Sequence, residues 1–135
     1  LDGFANWYKI QAQEERDHAM LFMEYLQNNG YRVTLDAIAK PDKEFEGFKM
    51  PLEAGFEHEI IVTNLINAIY SQAAEVKDYR TIQFLDWFVK EQGEEEANAE
   101  ALIRKMELFG ADPRGLYLLD TELGARIYAP PSLVL

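Results

Sequence analysis

Glu15 and His18 combine the residue types and the spacing that can hold a metal ion on a helix. They lie three positions apart and therefore share one helical face, in a stripe that otherwise carries Trp7 and Phe22. A carboxylate on such an apolar stripe is costly to bury unless a hydrogen bond or a cation compensates it. The pair alone is a weak signal, because glutamates are common in helices.

Two further predicted helices carry polar side chains at inward-facing positions. Glu59 lies on one of them, and Gln92 and Glu95 lie on the other, with Glu91 and Glu94 beside them. Carboxylates that converge would repel one another unless a cation lay between them. Their oxygens, with one imidazole, suit iron better than they suit soft metals. The alternatives are a solvated run of glutamates and, at Gln92, a hydrogen-bonded core amide.

The apolar periodicity predicts three long helices and one short helix, an all-α fold. These helices run over about residues 2–28, 51–76, 79–109 and 113–126. Gly30 is the expected end of the first helix, and Asp78 and Asp112 are the expected caps of the third and fourth. A long connection, residues 30–50, separates the first two helices.

The composition indicates one globular domain spanning residues 1–135. Hydrophobic residues make up 48% of the chain, and the formal net charge is −11. That charge disfavours nucleic acid and anionic membranes as partners, since both need basic patches, and it is compatible with attracting cations. No apolar run is long enough to span a bilayer. The absence of cysteine excludes disulfides and thiolate metal sites and permits a cytoplasmic location.

Four blocks, in their order and spacing, resemble bacterial non-haem ferritins over essentially the whole chain. Residues 13–18 read QEERDH and resemble the QEExxH of these ferritins. Residues 56–59, FEHE, lie where such ferritins have a helical carboxylate. Residues 84–96, FLDWFVKEQGEEE, resemble their FLxWxxxEQxEEE stretch, and residues 115–123, GLYLLDTEL, resemble the segment leading into their short last helix.

The resemblance implies an iron-storage protein with a ferroxidase centre of two irons in each subunit of a ferritin-like four-helix bundle. Glu15 would bridge the two irons, and His18 would complete the first site. Glu59 and Glu95 would hold the second iron, with Gln92 beside it. Oxygen or peroxide would accept the electrons, and the ferric product would be stored as mineral.

The same resemblance implies a possible third iron site, formed by Glu14, Glu91 and Glu94 together with Glu95. The Gln92-x-x-Glu95 pattern stands where bacterioferritins carry Glu-x-x-His, which points away from that haem-containing group, so no haem is expected. Such ferritins usually assemble as hollow homo-oligomers of 24 subunits.

The first long helix of these ferritins would precede the residues present here. It supplies a terminal glutamate ligand and usually a nearby tyrosine, and no residue of this sequence matches either. The chain also opens without an initiator methionine. The expectation is therefore an N-terminally incomplete ferritin-like domain with three of its four long helices and an open apolar groove.

Two other functions compete with ferroxidase activity. One is a structural or iron-nucleating ferritin subunit that does not oxidise iron quickly, which the missing helix would favour and the retained ligands disfavour. The other is a DNA-protecting mini-ferritin, whose iron site is built from two subunits. The acidic balance and the ligands within one bundle disfavour it.

Overall fold

The structure, a computed structural model, describes all residues from 1 to 135 and contains helices but no strand. The helices are α1 (Asp2–Asn28), α2 (Lys49–Glu75), α3 (Tyr79–Phe109) and α4 (Pro113–Gly124). Three are long, with 27, 27 and 31 residues, and the last has 12. The predicted all-α class, with three long helices and one short helix, is confirmed. None of the four is both long and apolar enough to cross a bilayer.

Aspartate side chains fix the starts of α3 and α4. Asp78 accepts hydrogen bonds from the Thr81 hydroxyl at 2.6 Å and from the Thr81 backbone N–H at 3.1 Å. These bonds hold the pKa of the Asp78 carboxyl below its usual value. Asp112 accepts from the backbone N–H of Gly115 at 2.9 Å. Both caps satisfy an N–H group that the first helical turn leaves unpaired, as the sequence predicts.

The connection between α1 and α2 contains turns but no helix or strand. Gly30 has a φ of +76°, a left-handed conformation that side chains with a Cβ rarely adopt, and it ends α1 as predicted. The second helix begins at Lys49, two residues before the predicted start at Pro51. Proline is tolerated in this first turn because the N–H groups there have no partner within the helix.

Two compact units make up the chain. The first consists of residues 1–43 and 112–135, with α1 and α4, and the second consists of residues 44–111, with α2 and α3. The second unit is therefore continuous in sequence, whereas the first is assembled from the two ends of the chain.

The second unit is an antiparallel helical hairpin. Near its open end, the Lys49 ammonium lies 2.9 Å from the Glu107 carboxylate. Towards its closed end, the Tyr70 hydroxyl donates to Asp86 at 3.0 Å. Residue numbers thus rise along α2 as they fall along α3.

The buried residues of this hairpin repeat at the spacing of a helical seam. On α2 they are seven apart: Leu52, Glu59, Ile66 and Ala73. On α3, from Leu85 onward, they alternate between three and four apart, with Phe84 next to the first of them: Leu85, Phe88, Gln92, Glu95, Ala99 and Leu102. This repeat keeps one stripe facing a neighbouring helix. Glu59, Gln92 and Glu95 therefore occupy core positions that apolar side chains hold elsewhere along the same stripes.

The buried face of α2 is narrower than its apolar spacing predicts. Its apolar spacing predicts that Ile60 and either Ile69 or Tyr70 face inward, but Ile60 is 37% and Ile69 is 45% exposed, and Tyr70 is half-buried. Neither isoleucine belongs to the seven-residue repeat of buried positions on α2, so the buried stripe of this helix is narrower than its apolar stripe. Ile61 and Leu65 are exposed as well, at 54% and 59%.

The first unit depends on a close crossing between α1 and α4. Gly3 lies so near the backbone carbonyl of Asp120 that a Cβ built on the glycine would overlap it. At the same crossing the Phe4 backbone N–H donates to the Asp120 carboxylate at 3.0 Å. The Asn6 amide donates to the carbonyls of Leu123 and Arg126, at 3.2 and 3.1 Å. Hydrogen bonds to α4 and the segment after it thus satisfy groups at the start of α1.

Replacing Gly3 with alanine should weaken this crossing. The new methyl must displace the backbone of α4, and such overpacking typically costs about 1–3 kcal/mol. Gly93→Ala is the matched control, because nothing lies within 4 Å of a Cβ built there. Removing a mid-helix glycine at such a site should stabilise by about 0.5–1 kcal/mol. Thermal unfolding of both variants checks this, and an unchanged midpoint for Gly3→Ala would contradict the crossing.

Candidate metal centre

The Gln92 side chain organises the polar core of the α2–α3 hairpin. Its Nε2 donates to the Glu59 carboxylate at 3.2 Å, to the Glu59 carbonyl at 3.3 Å and to the Thr63 hydroxyl at 3.3 Å. Gln92 is 4% exposed and Glu59 is 8% exposed. A buried amide placed in this way compensates part of the cost of burying the carboxylate. Gln92 is thus a hydrogen-bonded core amide, and this role is compatible with a place beside a metal site.

Thr63 extends this network to a second carboxylate. Its hydroxyl donates to Glu96 at 2.5 Å while it accepts from Gln92. Because a hydroxyl both donates and accepts, it can link an amide to a carboxylate with no cation between them. A chain of hydrogen bonds therefore connects the Glu59 carboxylate to the Glu96 carboxylate through the Gln92 amide and the Thr63 hydroxyl.

The remaining carboxylates of α3 differ in exposure. Glu95 is buried, at 9% exposure, at a core position one turn from Gln92. Glu91 is half-buried, and Glu94 is exposed and lies 3.5 Å from the Lys90 ammonium. The predicted site residues of α3 thus divide into a buried pair, Gln92 and Glu95, and a more solvated pair beside it.

In the other unit, the structure brings Glu15 and His18 together on α1. The His18 Nδ1 lies 3.5 Å from a Glu15 carboxylate oxygen, and the other oxygen accepts from the Gln11 amide at 3.0 Å. The His18 side chain is 11% exposed, whereas that of Glu15 is 40% exposed. One imidazole and one accessible carboxylate therefore lie side by side, which is a suitable start for binding a divalent cation.

Glu14, next to Glu15 in sequence, has a cationic partner. The Arg126 Nη2 lies 2.5 Å from the Glu14 carboxylate and 3.0 Å from the Gln11 amide oxygen. The guanidinium also lies 4.9 Å from the centre of the Trp7 ring, close enough for a cation–π interaction. A charge-assisted hydrogen bond of this kind is about twice as strong as a neutral one.

Tyr8 adds a neutral polar group to α1. Its hydroxyl is buried and has no hydrogen-bond partner. This burial raises the pKa of Tyr8 to about 12, because desolvation disfavours the phenolate. The phenol therefore stays protonated throughout the physiological pH range.

The buried polar side chains of the chain are His18, Glu59, Gln92 and Glu95. All four belong to the set that the sequence singles out. Neither unit alone holds three His, Asp or Glu side chains at distances at which they could share one metal ion. Neither the Glu15–His18 pair of one unit nor the buried carboxylates Glu59 and Glu95 of the other form a complete coordination sphere within their own unit.

The sequence did not single out the groups that hold these carboxylates. Gln11 lies four residues before Glu15, so helical spacing offers a signal for it, whereas Thr63 donates to Glu96 on the other helix of the hairpin, 33 positions away. Arg126 and Glu96 are different. Arg126 meets Glu14 across 112 positions of sequence, and no local pattern indicates that pairing.

Comparison with known proteins places this geometry in context. A family model described as a ferritin-like domain matches residues 1–109. A probable bacterial non-heme ferritin-like protein of Haemophilus influenzae is 35% identical over 124 residues, which is 92% of this chain and 75% of that protein. The bacterial non-heme ferritin of Staphylococcus saprophyticus is 39% identical over 127 residues, covering 94% of this chain and 76% of its own.

Solved structures give the same result. A humanized archaeal ferritin superposes with a TM-score of 0.93 at 42% identity, over 96% of this chain and 79% of that one. An open pore ferritin from the hyperthermophilic archaeon Archaeoglobus fulgidus has a TM-score of 0.90 at 41% identity, over 93% and 77%. The predicted ferritin-like helical fold is therefore confirmed.

Thr63→Val should loosen the polar core of the hairpin without changing its shape. Valine keeps the volume but removes two hydrogen bonds of the hydroxyl, one from Gln92 and one to Glu96, and each is worth about 1 kcal/mol net. Chemical denaturation should show a loss of about 2 kcal/mol. The control is Thr121→Val, since its hydroxyl bonds only the Tyr117 carbonyl on the exposed face of α4. Surface changes of this kind stay within about 0.5 kcal/mol, and equal losses in both variants would contradict a special role for Thr63.

Proposed function

The chain belongs to the ferritin-like family, and we propose that it binds Fe(II), oxidises it to Fe(III) and stores the product as mineral. The bacterial non-heme ferritins among its relatives support the iron-storage part of this proposal. The ferroxidase part comes from the site residues. Iron is here the substrate and the cargo of the protein rather than a resident cofactor.

The observation that carries the proposal is the identity of the buried polar side chains, His18, Glu59, Gln92 and Glu95. Two buried carboxylates and a buried imidazole are expensive in a core unless they serve a bound cation or a hydrogen-bond network. The heptad positions of Glu59 and Glu95 would hold apolar side chains if packing were their only role. Retaining ionisable groups there is the usual sign of a functional site.

Each ligand has a stated role in the proposal. Glu15 bridges the two irons, His18 completes the first site, and Glu59 and Glu95 hold the second, with Gln92 beside it. Two Fe(II) ions give up one electron each, and dioxygen or peroxide takes both. The protein binds the ions, keeps their ligands in place and sets their spacing.

The groups around the ligands fit these roles. Gln11 donates to one oxygen of Glu15 and leaves its side chain partly exposed, so an arriving cation can reach it. Gln92 donates to Glu59 and thereby limits the rotation of that carboxylate. Such supporting hydrogen bonds orient metal ligands and typically change metal affinity or activity by about 10–100-fold when removed.

We further propose that the subunits assemble as a homo-oligomeric cage, with 24 subunits as in the ferritins that the sequence resembles. Exposed apolar side chains support association. Tyr117 and Leu118 on α4 are 69% and 68% exposed, and Ile61 and Leu65 on α2 are exposed as well. Apolar groups that cluster at a surface usually mark an interaction site.

Glu15→Ala in the full-length protein should fold and assemble but lose rapid iron oxidation. A bridging carboxylate touches both ions, so its loss should cost more than the roughly 10–100-fold typical of a supporting residue. Stopped-flow oxidation at about two Fe(II) per subunit measures the initial rate. The control is Glu24→Ala, which removes an exposed carboxylate from the same helix and should leave the rate unchanged.

If Glu15→Ala oxidised iron at the normal rate, the diiron assignment would be wrong. A subunit that stores or nucleates iron without oxidising it quickly would then be the better description.

The third iron site predicts a different phenotype. Replacing Glu91 and Glu94 together with alanine should spare the first fast oxidation, because neither belongs to the diiron ligands. Later turnover and the ratio of iron oxidised to oxygen consumed should change. Glu100→Ala, which removes a solvated carboxylate paired with Arg104 on the same helix, is the control. Loss of the first two irons in the double variant, or no change at all, would rule out the third-site role.

A further inference from the structure

Arg126 lies near two adjacent carboxylates of α1, and its contacts with the two differ. Its Nη2 is bonded to Glu14 directly. Gln11 lies between Arg126 and Glu15, because its amide oxygen accepts from Arg126 at 3.0 Å and its Nε2 donates to Glu15 at 3.0 Å. Glu14 is therefore bonded directly to a cation, whereas Glu15 accepts from the neutral Gln11 amide and lies 3.5 Å from the His18 imidazole.

The guanidinium is held on several sides. Its side chain is 24% exposed and that of Glu14 is 16% exposed, so solvent screens the pair less than it screens a surface ion pair. The Trp7 ring lies 4.9 Å away, and the Trp7 carbonyl accepts from Nη1 at 3.5 Å.

The backbone that carries Arg126 is itself attached to α1. The Asn6 amide donates to the Arg126 carbonyl at 3.1 Å. Two residues later, the Tyr128 hydroxyl donates to Asp17 at 2.6 Å, and this bond raises the pKa of Tyr128. These contacts attach the segment after α4 to α1 at Arg126 itself and at Tyr128, so the segment brings a positive charge to Glu14 from a distant part of the sequence.

We propose that Arg126 is the resident counter-cation of Glu14, which a divalent ion must displace before it can use Glu14 as a ligand. Arg126 thereby makes binding at the third iron site weaker than binding at the pair of sites that use Glu15. The inference rests on the proposed function, because it assigns a filling order to the iron sites proposed above.

The order follows from what an arriving ion has to displace. At Glu15 it displaces the hydrogen bond from the neutral Gln11 amide, and the His18 imidazole beside Glu15 is itself a proposed ligand. At Glu14 it must separate a charge-assisted pair whose cation also loses its contact with Trp7. Since both carboxylates lie on the same helix, the difference comes from Arg126 rather than from the carboxylates.

Zinc binding to the full-length protein tests the proposal, because Zn(II) is not oxidised and reports binding alone. Titration calorimetry should show two tighter equivalents and one weaker equivalent per subunit. Arg126→Ala should tighten the weaker equivalent roughly tenfold, which corresponds to about 1.4 kcal/mol, and should leave the tighter two in place. Arg126→Lys should restore weaker binding, since it keeps the charge. The control is Arg104→Ala, which breaks an exposed ion pair with Glu100 on α3 and should change nothing.

A second measurement needs no change at Arg126. The chain has two tryptophans, so Trp87→Phe leaves Trp7 as its single tryptophan. As Arg126 leaves Glu14, it should also leave the Trp7 ring, and Trp7 emission should shift with the third equivalent of Zn(II) rather than with the first two. Glu14→Gln in the same background should abolish that shift.

Unchanged or weaker binding of the third equivalent in Arg126→Ala would overturn the proposal. The proposal would also be overturned if the Trp7 emission did not shift with the third equivalent of Zn(II), or if it shifted with the first two. Failure of the proposed function is separate, because normal oxidation in Glu15→Ala would reveal it. If Glu15→Ala lost oxidation while the affinity for the third equivalent of Zn(II) stayed the same in Arg126→Ala, only this inference would be rejected.

Discussion

The cost of removing a carboxylate from water governs the arrangement of this molecule. Glu59 and Glu95 lie at heptad positions where an apolar side chain would pack at no electrostatic cost. The Gln92 amide, which donates to the Glu59 carboxylate, offsets part of the cost of burying Glu59. Positions near these residues are constrained in turn, since Thr63 must both accept from that amide and donate to Glu96. A helical hairpin built only for stability would need none of these groups.

Adjacent residues on a helix point in directions about 100° apart, because a turn takes 3.6 residues. This simple geometry lets Glu14 and Glu15 meet different surroundings although they are neighbours in sequence. One is paired with a guanidinium and the other lies beside an imidazole and an amide. Two glutamate carboxylates that are neighbours in sequence can therefore differ in their affinity for the same ion.

Much of the fold could be predicted from local sequence. Asp78, Asp112 and Gly30 mark helix ends through short-range chemistry, and the bounds of α1 and α3 agree with the apolar periodicity. The candidate site was partly predictable as well, because a polar residue that interrupts an apolar stripe stands out. Arg126 could not be assigned, since its role depends on a contact that spans nearly the whole chain. The exposure of Ile60 was missed for a related reason: apolarity does not tell which residues at the edge of a stripe are covered.

The division of the chain into a continuous hairpin and a unit made from both termini has a consequence for folding order. Residues 44–111 can pair through a three-residue turn between α2 and α3, so their contacts are local and the entropy lost on closing the loop is small. The crossing of Gly3 with Asp120 must instead join positions 117 residues apart, since 120 − 3 = 117. A hairpin that has already formed shortens the flexible part of that loop. This topology therefore favours a pathway in which α2 and α3 associate first and the termini dock last.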